Sequence, residues 1–324
     1  MLIALDVGGT NIRVGFFERK KEMQLLKYKG YKTKDFPSFL EFVRFLLKEE
    51  KKNISIISIA AAGPIEKSIC TLTNLNWKID AEVIRKVFKI KHVYILNDLK
   101  ATALGLEHLT DSDFFIINSG CVNKKDNKCI VSAGTGLGEA FLCEGKKETI
   151  AVASEGGHSD FAPINKMQSD LLTFLQTKYG HVSYERILSG PGICNLYDFI
   201  KEKKITSDIQ SVEKELKISS EPQKIITELA LNKKSRTCEM VLELFISIYA
   251  SEAANAALKY LATSGVFLGG GIAPKIIDFI KKEDFMGSFI NKGRFEQLMK
   301  KIPVKIILNE KIALLGAWDY AIKN

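Results

Sequence analysis

Three glycine-rich stretches and three acid-bearing stretches have residue types and spacings that suit phosphate and hydroxyl chemistry. Asp6-Val7-Gly8-Gly9-Thr10-Asn11 lies between two apolar runs and so reads as the tip of a hairpin. Gly8 and Gly9 permit positive φ and let main-chain N–H groups approach an anion, Thr10 and Asn11 can donate to phosphate oxygens, and Asp6 could hold a water on Mg2+. The same residues would also make a plain tight turn. The spacings of a P-loop and of a dinucleotide fingerprint are both absent, and a strand follows instead of a helix. Gly134-Thr135-Gly136-Leu137-Gly138 repeats the design in the second half of the chain, as a phosphate cradle or a simple glycine turn. Gly269-Gly270-Gly271 follows a buried run, where bare backbone would accept a flat purine or let a helix pack closely on a strand.

The acids come next. Leu96-Asn97-Asp98 ends a short apolar run, the place where α/β proteins put ligands. Asp98 is either a helix cap or a general base that takes the proton of a hydroxyl attacking phosphorus, with Asn97 orienting the same substrate. Glu155-Gly156-Gly157-His158 offers a carboxylate and an imidazole for paired hydroxyls, with a satisfied loop histidine as the plainer reading. No Cys or His lies at metal-ligand spacing from His158. Glu185 is a further hydroxyl ligand or an ion-pair partner of Arg186 or Lys178. His92, His108 and His181 have no such company and read as structural.

Stepping from sites to elements, strand, glycine tip and second strand are expected over 2–17 and again over 129–145. Helical spacing runs from Phe36 to Lys48, a β-branched run starts at Ile54, and Asp80 is placed to cap a helix ending at Phe88. A strand at 92–96, a helix from Asp98 to about His108, a long apolar helix over 237–263, a strand at 266–268, a strand at 304–308 and a helix at 313–323 complete the alternation. The lysine-rich 201–234 region reads as surface helices. Such alternation implies an α/β fold with a largely parallel sheet.

The 324 residues exceed one ordinary core, and 46% hydrophobic against 26% charged residues suit a globular chain. No uninterrupted apolar run approaches the ~20 residues needed to span a bilayer. Asp6 also breaks the first run before a signal sequence could form, so a cytoplasmic location without a membrane partner is expected. The net charge is +9, from 47 cations against 38 anions. Only seven of those cations are Arg, which argues against nucleic-acid readout, because Arg makes the bidentate phosphate and guanine contacts.

Taken in order, DVGGTN at Asp6, TNLNW at Thr73, LND at Leu96, GTGLG at Gly134, EGGHSDFAP at Glu155, ERILSGPG at Glu185, GGGIAP at Gly269 and KGRF at Lys292 resemble the bacterial glucokinase family. The resemblance spans the chain. It implies a two-domain actin-like/hexokinase (ribonuclease H-like) α/β fold with an interdomain cleft, a small domain of 1–109 plus 305–324 and a large one of 110–304. It implies ATP-dependent phosphorylation of the 6-hydroxyl of glucose with Mg2+, and a homodimer. Residue by residue, Asp98 matches the catalytic base, and Asn97, Glu155, His158 and Glu185 match sugar ligands. Asp6, Gly8, Gly9, Thr10 and Asn11 match one phosphate loop; Gly134, Thr135, Gly136 and Gly138 match the other. Gly269 and Gly270 match the adenosine loop, and no direct metal ligand is implied. Glu139, just after the second loop, stands where many members have a small apolar residue. Rival readings are a kinase for mannose, glucosamine or fructose, and a non-catalytic sugar sensor on the same fold.

Overall fold

The computed structural model describes residues 1–50, 53–72, 77–121, 126–145, 148–217 and 219–324, so positions 73–76 of the TNLNW motif lie outside the described residues. The chain forms two units, one of 1–113, 149–153 and 309–324, the other of 114–148 and 154–308.

In the first unit, Leu2–Val7 and Asn11–Phe17 pair antiparallel in a hairpin that closes at Val7 and Ile12. The sheet order is Leu25–Lys32, Asn11–Phe17, Leu2–Val7, Ile56–Ala61, His92–Asn97, and the last three strands are parallel. Because side chains alternate across a strand, Ile3, Leu5 and Val7 face one layer while Leu2 and Ala4 face the other. The first layer is the helix Phe39–Glu49, which contributes Phe39, Phe42, Val43 and Leu46. The second is the helix Ile312–Lys323, with Leu314 and Trp318 against Leu2 and Phe17. Asp80 caps the helix Ala81–Phe88, accepting from the Glu82 and Val83 N–H groups.

The helix Asp98–Gly105 carries the proposed base and rests on the helix Ile312–Lys323 with almost no clearance. A Cβ on Gly316 would sit 1.7 Å from the Ala101 carbonyl oxygen, and one on Gly105 would sit 2.1 Å from that of Ile312. Only glycine lets these backbones approach so closely, and that approach sets where Asp98 starts its helix.

The second unit repeats the plan. Lys128–Ala133 and Leu137–Glu144 form its hairpin, with Gly265–Gly269 and then Val304–Ile307 added in parallel and Phe114–Asn118 antiparallel beyond them. Hairpin, parallel strand, parallel strand is thus the order in both sheets, the layout expected from the two glycine tips. The core is threaded by the helix Arg236–Tyr260, whose Tyr249 hydroxyl donates to the Val131 carbonyl at 2.8 Å. Among the described residues this is the one helix long and apolar enough to cross a membrane, and most of it is buried inside its unit. The lysine-rich region forms the helices Ile209–Leu216 and Pro222–Leu231 after Gly190–Glu202.

Gly316→Ala should lower stability by about 1–3 kcal/mol, the usual cost of overpacking, read as an earlier urea midpoint. An unchanged midpoint would mean that the two helices have room to spare.

Candidate active site

Register places the site residues before any side chain is considered. In the first unit Val7, Ala61 and Asn97 are level across three parallel strands. The glycine tip after Val7 and the Asn97-Asp98 pair therefore emerge at the same edge, two strands or roughly 10 Å apart. In the second unit Ser132 pairs with Gly269, so the loops beginning at Gly134 and Gly270 also share one strand end.

The first tip is a tight turn, with the Gly8 N–H donating to the Asn11 carbonyl at 3.0 Å. Neither Gly8 nor Gly9 is among the positive-φ glycines, contrary to expectation, and a Cβ on Gly8 would meet only the Asn11 carbonyl at 3.5 Å. Thr33 fixes the tip from outside: its hydroxyl donates to the Gly9 carbonyl at 2.8 Å and its N–H to that of Thr10 at 3.1 Å. Thr10 and Asn11 are exposed, and Asn11 accepts from the Lys32 ammonium at 2.7 Å. Asp6 is mostly buried against Arg13 at 3.1 Å. Burial pushes its carboxyl up, with Arg13 opposing. Lys32 and Arg13 put positive charge beside the loop, and sequence reading missed both. Arg13 was findable, since it lies on the same face of its strand as Asn11. Lys32 was not, because it arrives from the third strand.

At the other end of the edge the cap belongs to Asn97 and not to Asp98. The Asn97 side-chain oxygen accepts from the Leu99 and Lys100 N–H groups at 2.9 and 3.1 Å, so its NH2 is the end that can face a sugar. Asp98 is the first helical residue and accepts from the Leu99 N–H at 2.9 Å. Its charge is felt by the Cys70 thiol, pushed up to about 11 by burial first and by Asp98 second.

The second unit gathers three of the predicted sugar ligands into one cluster. His158 Nε2 lies 4.0 Å from Glu155 Oε2, and His158 Nδ1 lies 4.0 Å from Glu185 Oε1. Glu185 pairs with neither cation foreseen for it: Lys178 goes to Asn195 and Asp198, and Arg186 stacks on the Tyr179 ring. Instead Glu185 Oε2 accepts the Leu137 N–H at 2.9 Å. The Leu137 carbonyl lies under Gly157, where a Cβ would come within 2.1 Å of it. The backbone of one residue, Leu137, therefore meets both the Glu155–His158 turn and Glu185.

That loop is closed by the Gly134 N–H donating to the Gly136 carbonyl at 2.8 Å, and Gly134 accepts from the Gly190 N–H at 2.8 Å. It thereby meets the first turn of the helix Gly190–Glu202, capped by Ser189. Gly270 has φ +80°, and a Cβ there would stand 2.2 Å from the Ala133 carbonyl. Close packing accounts for this glycine by itself. His108 bonds Asp319 and His181 bonds Asp160, each at 2.8 Å, while His92 stacks on Tyr94. All three histidines are structural, as expected.

Paired glycine-tipped hairpins, a carboxylate at a helix start and an acid–imidazole–acid cluster define a kinase of the actin-like, ribonuclease H-like fold acting on a hydroxylated substrate. The glucokinase family model matches residues 3–324. A glucokinase of Nostoc punctiforme is 35% identical over 98% of this chain and 97% of its own length. A glucokinase crystal structure from an Antarctic psychrotroph superposes with a TM-score of 0.85 at 27% identity, covering 100% of this chain and 99% of that one. A ROK family glucokinase from Streptomyces griseus, solved with glucose and AMPPNP, shares the fold with a TM-score of 0.68 at 18% identity, covering 100% and 99%. The chain belongs to the glucokinase family.

Glu185→Ala takes away the acceptor of the Leu137 N–H. Hydrogen exchange of the 134–138 amides should accelerate by about tenfold or more, the worth of one bond to a charged group. Unchanged protection would mean that the loop holds itself.

Proposed function

We propose that the chain phosphorylates the 6-hydroxyl of D-glucose with ATP as donor, giving glucose 6-phosphate. The observation that carries this reading is the meeting of Glu155, His158 and Glu185 on the Leu137 peptide, which binds sugar ligands to a phosphate loop. Two acids and an imidazole suit paired sugar hydroxyls, and family membership supports glucose as the sugar and ATP as the donor.

Glucose is held by the Asn97 NH2, Glu155, His158 and Glu185. Asp98 takes the 6-hydroxyl proton as the new O–P bond forms and the γ-phosphoryl group leaves ADP. The backbones of Gly134, Thr135, Gly136 and Gly138 and of Gly8, Gly9, Thr10 and Asn11 line the phosphates, with the Gly8 and Gly134 N–H groups spent inside their own turns and the Lys32 ammonium adding positive charge. Gly269 and Gly270 offer bare backbone to the adenosine. Mg2+ supplies charge neutralisation on the donor's phosphates. Among the described residues no three His, Cys, Asp or Glu side chains group as a metal cage. Asp6 would hold a water on that ion. We further propose that the two units are the kinase's domains, divided near residues 110 and 305, and that the enzyme is a cytoplasmic homodimer without a nucleic-acid partner.

The test is sugar-dependent ADP release with ATP and Mg2+ across glucose, mannose, glucosamine, fructose and N-acetylmannosamine. Turnover led by glucose supports the assignment. Turnover with another sugar alone replaces the substrate, and none at all favours a sensor. Asp98→Asn keeps the shape and removes the proton acceptor, so kcat should fall at least ~10²-fold with glucose binding retained. Unchanged turnover would remove Asp98 from the mechanism.

A further inference from the structure

Beneath the sugar-ligand turn lies a buried pair of carboxyl groups that the proposed chemistry does not use. Glu139 follows the second phosphate loop on the strand Leu137–Glu144, and Glu252 sits on the long helix Arg236–Tyr260; they are 1% and 0% exposed. Their Oε1 atoms are both buried without a hydrogen-bond partner among the described residues. The two groups lie within hydrogen-bonding reach of each other. Two acceptors so placed lack one thing, a proton between them, and two adjacent buried carboxylates cannot both stay ionised.

The surroundings decide which acid carries it. Glu252 has donors around it: the Asn255 amide at 2.9 Å on Oε2, the Lys259 ammonium 3.6 Å from Oε1, and the charge of Lys292, itself bonded to Asn255 and Ser251. No donor to Glu139 comparable to these occurs among the described residues, and its Oε2 presses on Gly156, where a Cβ would come within 2.1 Å. The Gly156 N–H is held by Ser154 Oγ at 3.1 Å, so the turn rests directly on the Glu139 carboxyl.

We propose that Glu139 is a positioning residue for sugar binding: as a neutral acid it donates its proton to Glu252, and the packed carboxyl seats the Glu155–His158 turn. This rests on the glucose-kinase reading above. Burial, and after it the Glu252 charge, pushes Glu139 up to about 8. The other titratable groups facing the pair are Cys129, Tyr184 and Tyr249, all pushed further up by burial, with the ammonium groups of Lys259 and Lys292. Loss of the Glu139 proton leaves two anions under the turn, which then shifts and weakens its hold on glucose.

The experiment is the KM for glucose from pH 6.5 to 9.5 in wild type and Glu139→Gln, whose amide donates to Glu252 and cannot ionise. Wild-type KM should climb about tenfold for each pH unit beyond 8, as for one essential proton, with kcat less affected. The Gln variant should stay flat. His158 is common to both proteins, so the contrast isolates Glu139. A parallel rise in the variant, or a flat wild type, overturns the proposal. Glu252→Gln, which supplies the donor from the other side, should also be flat and serves if the first variant folds poorly.

Stability gives a readout independent of turnover. Between the ordinary carboxyl range and about pH 8 the unfolded chain loses the Glu139 proton while the native state keeps it, so wild-type stability falls as pH rises. The Tm of Glu139→Gln should therefore gain on wild type across that window, and a constant difference would refute the shared proton. Failure of the kinase reading shows separately, as a wild type with no glucose-dependent turnover at any pH.

Discussion

The Leu137 peptide is the constraint on which the second unit's site depends. Its N–H is spent on Glu185 and its carbonyl is covered by Gly157. The N–H and the C=O of one residue belong to successive peptide groups, and here each meets a different segment. The consequence is that the 134–138 loop, the Glu155–His158 turn and Glu185, the proposed phosphate and sugar ligands, move as one object. A hydrogen bond to a carboxylate is worth about 1.5–3 kcal/mol, enough to hold a five-residue loop against its own entropy only because Gly134 is tied at the other end to Gly136 and Gly190. Binding geometry is thereby set before any ligand arrives, the condition under which binding energy can serve the transition state.

The first unit solves the corresponding problem by backbone proximity. Asp98 is carried by a short helix pressed onto the helix Ile312–Lys323 through Gly105 and Gly316. Asn97 takes over the capping duty, which leaves the Asp98 carboxylate at the helix start with the polarity of a free N-terminus acting on it. The level register of Val7, Ala61 and Asn97 then brings the proposed base and the first glycine tip to one sheet edge.

Much of this was legible in the sequence because its causes are local. Two apolar runs flanking VGGTN and GTGLG can hardly be anything but hairpins, and Asp80 before an amphipathic stretch is a cap by its side-chain chemistry. Other features have causes that lie far along the chain. Glu185 meets Leu137 across 48 residues, and no local spacing signals that contact. The inward direction of Glu139 was hidden because its strand is buried on both faces, which erases the alternation that would have shown it. Glu252, in the middle of an apolar helix, was the available clue: a lone acid so placed needs a partner. The positive φ expected of the glycines of the first tip is not what the turn uses.

The claim that Leu137 couples the sugar segments is tested most directly by a double-mutant cycle on Gly157→Ala and Glu185→Ala, read as kcat/KM for glucose. If the backbone of this one residue serves both contacts, either change displaces it, and the double variant should lose far less than the product of the two single losses. Strictly multiplicative losses would mean that the two segments bind glucose independently and that the Leu137 peptide links nothing.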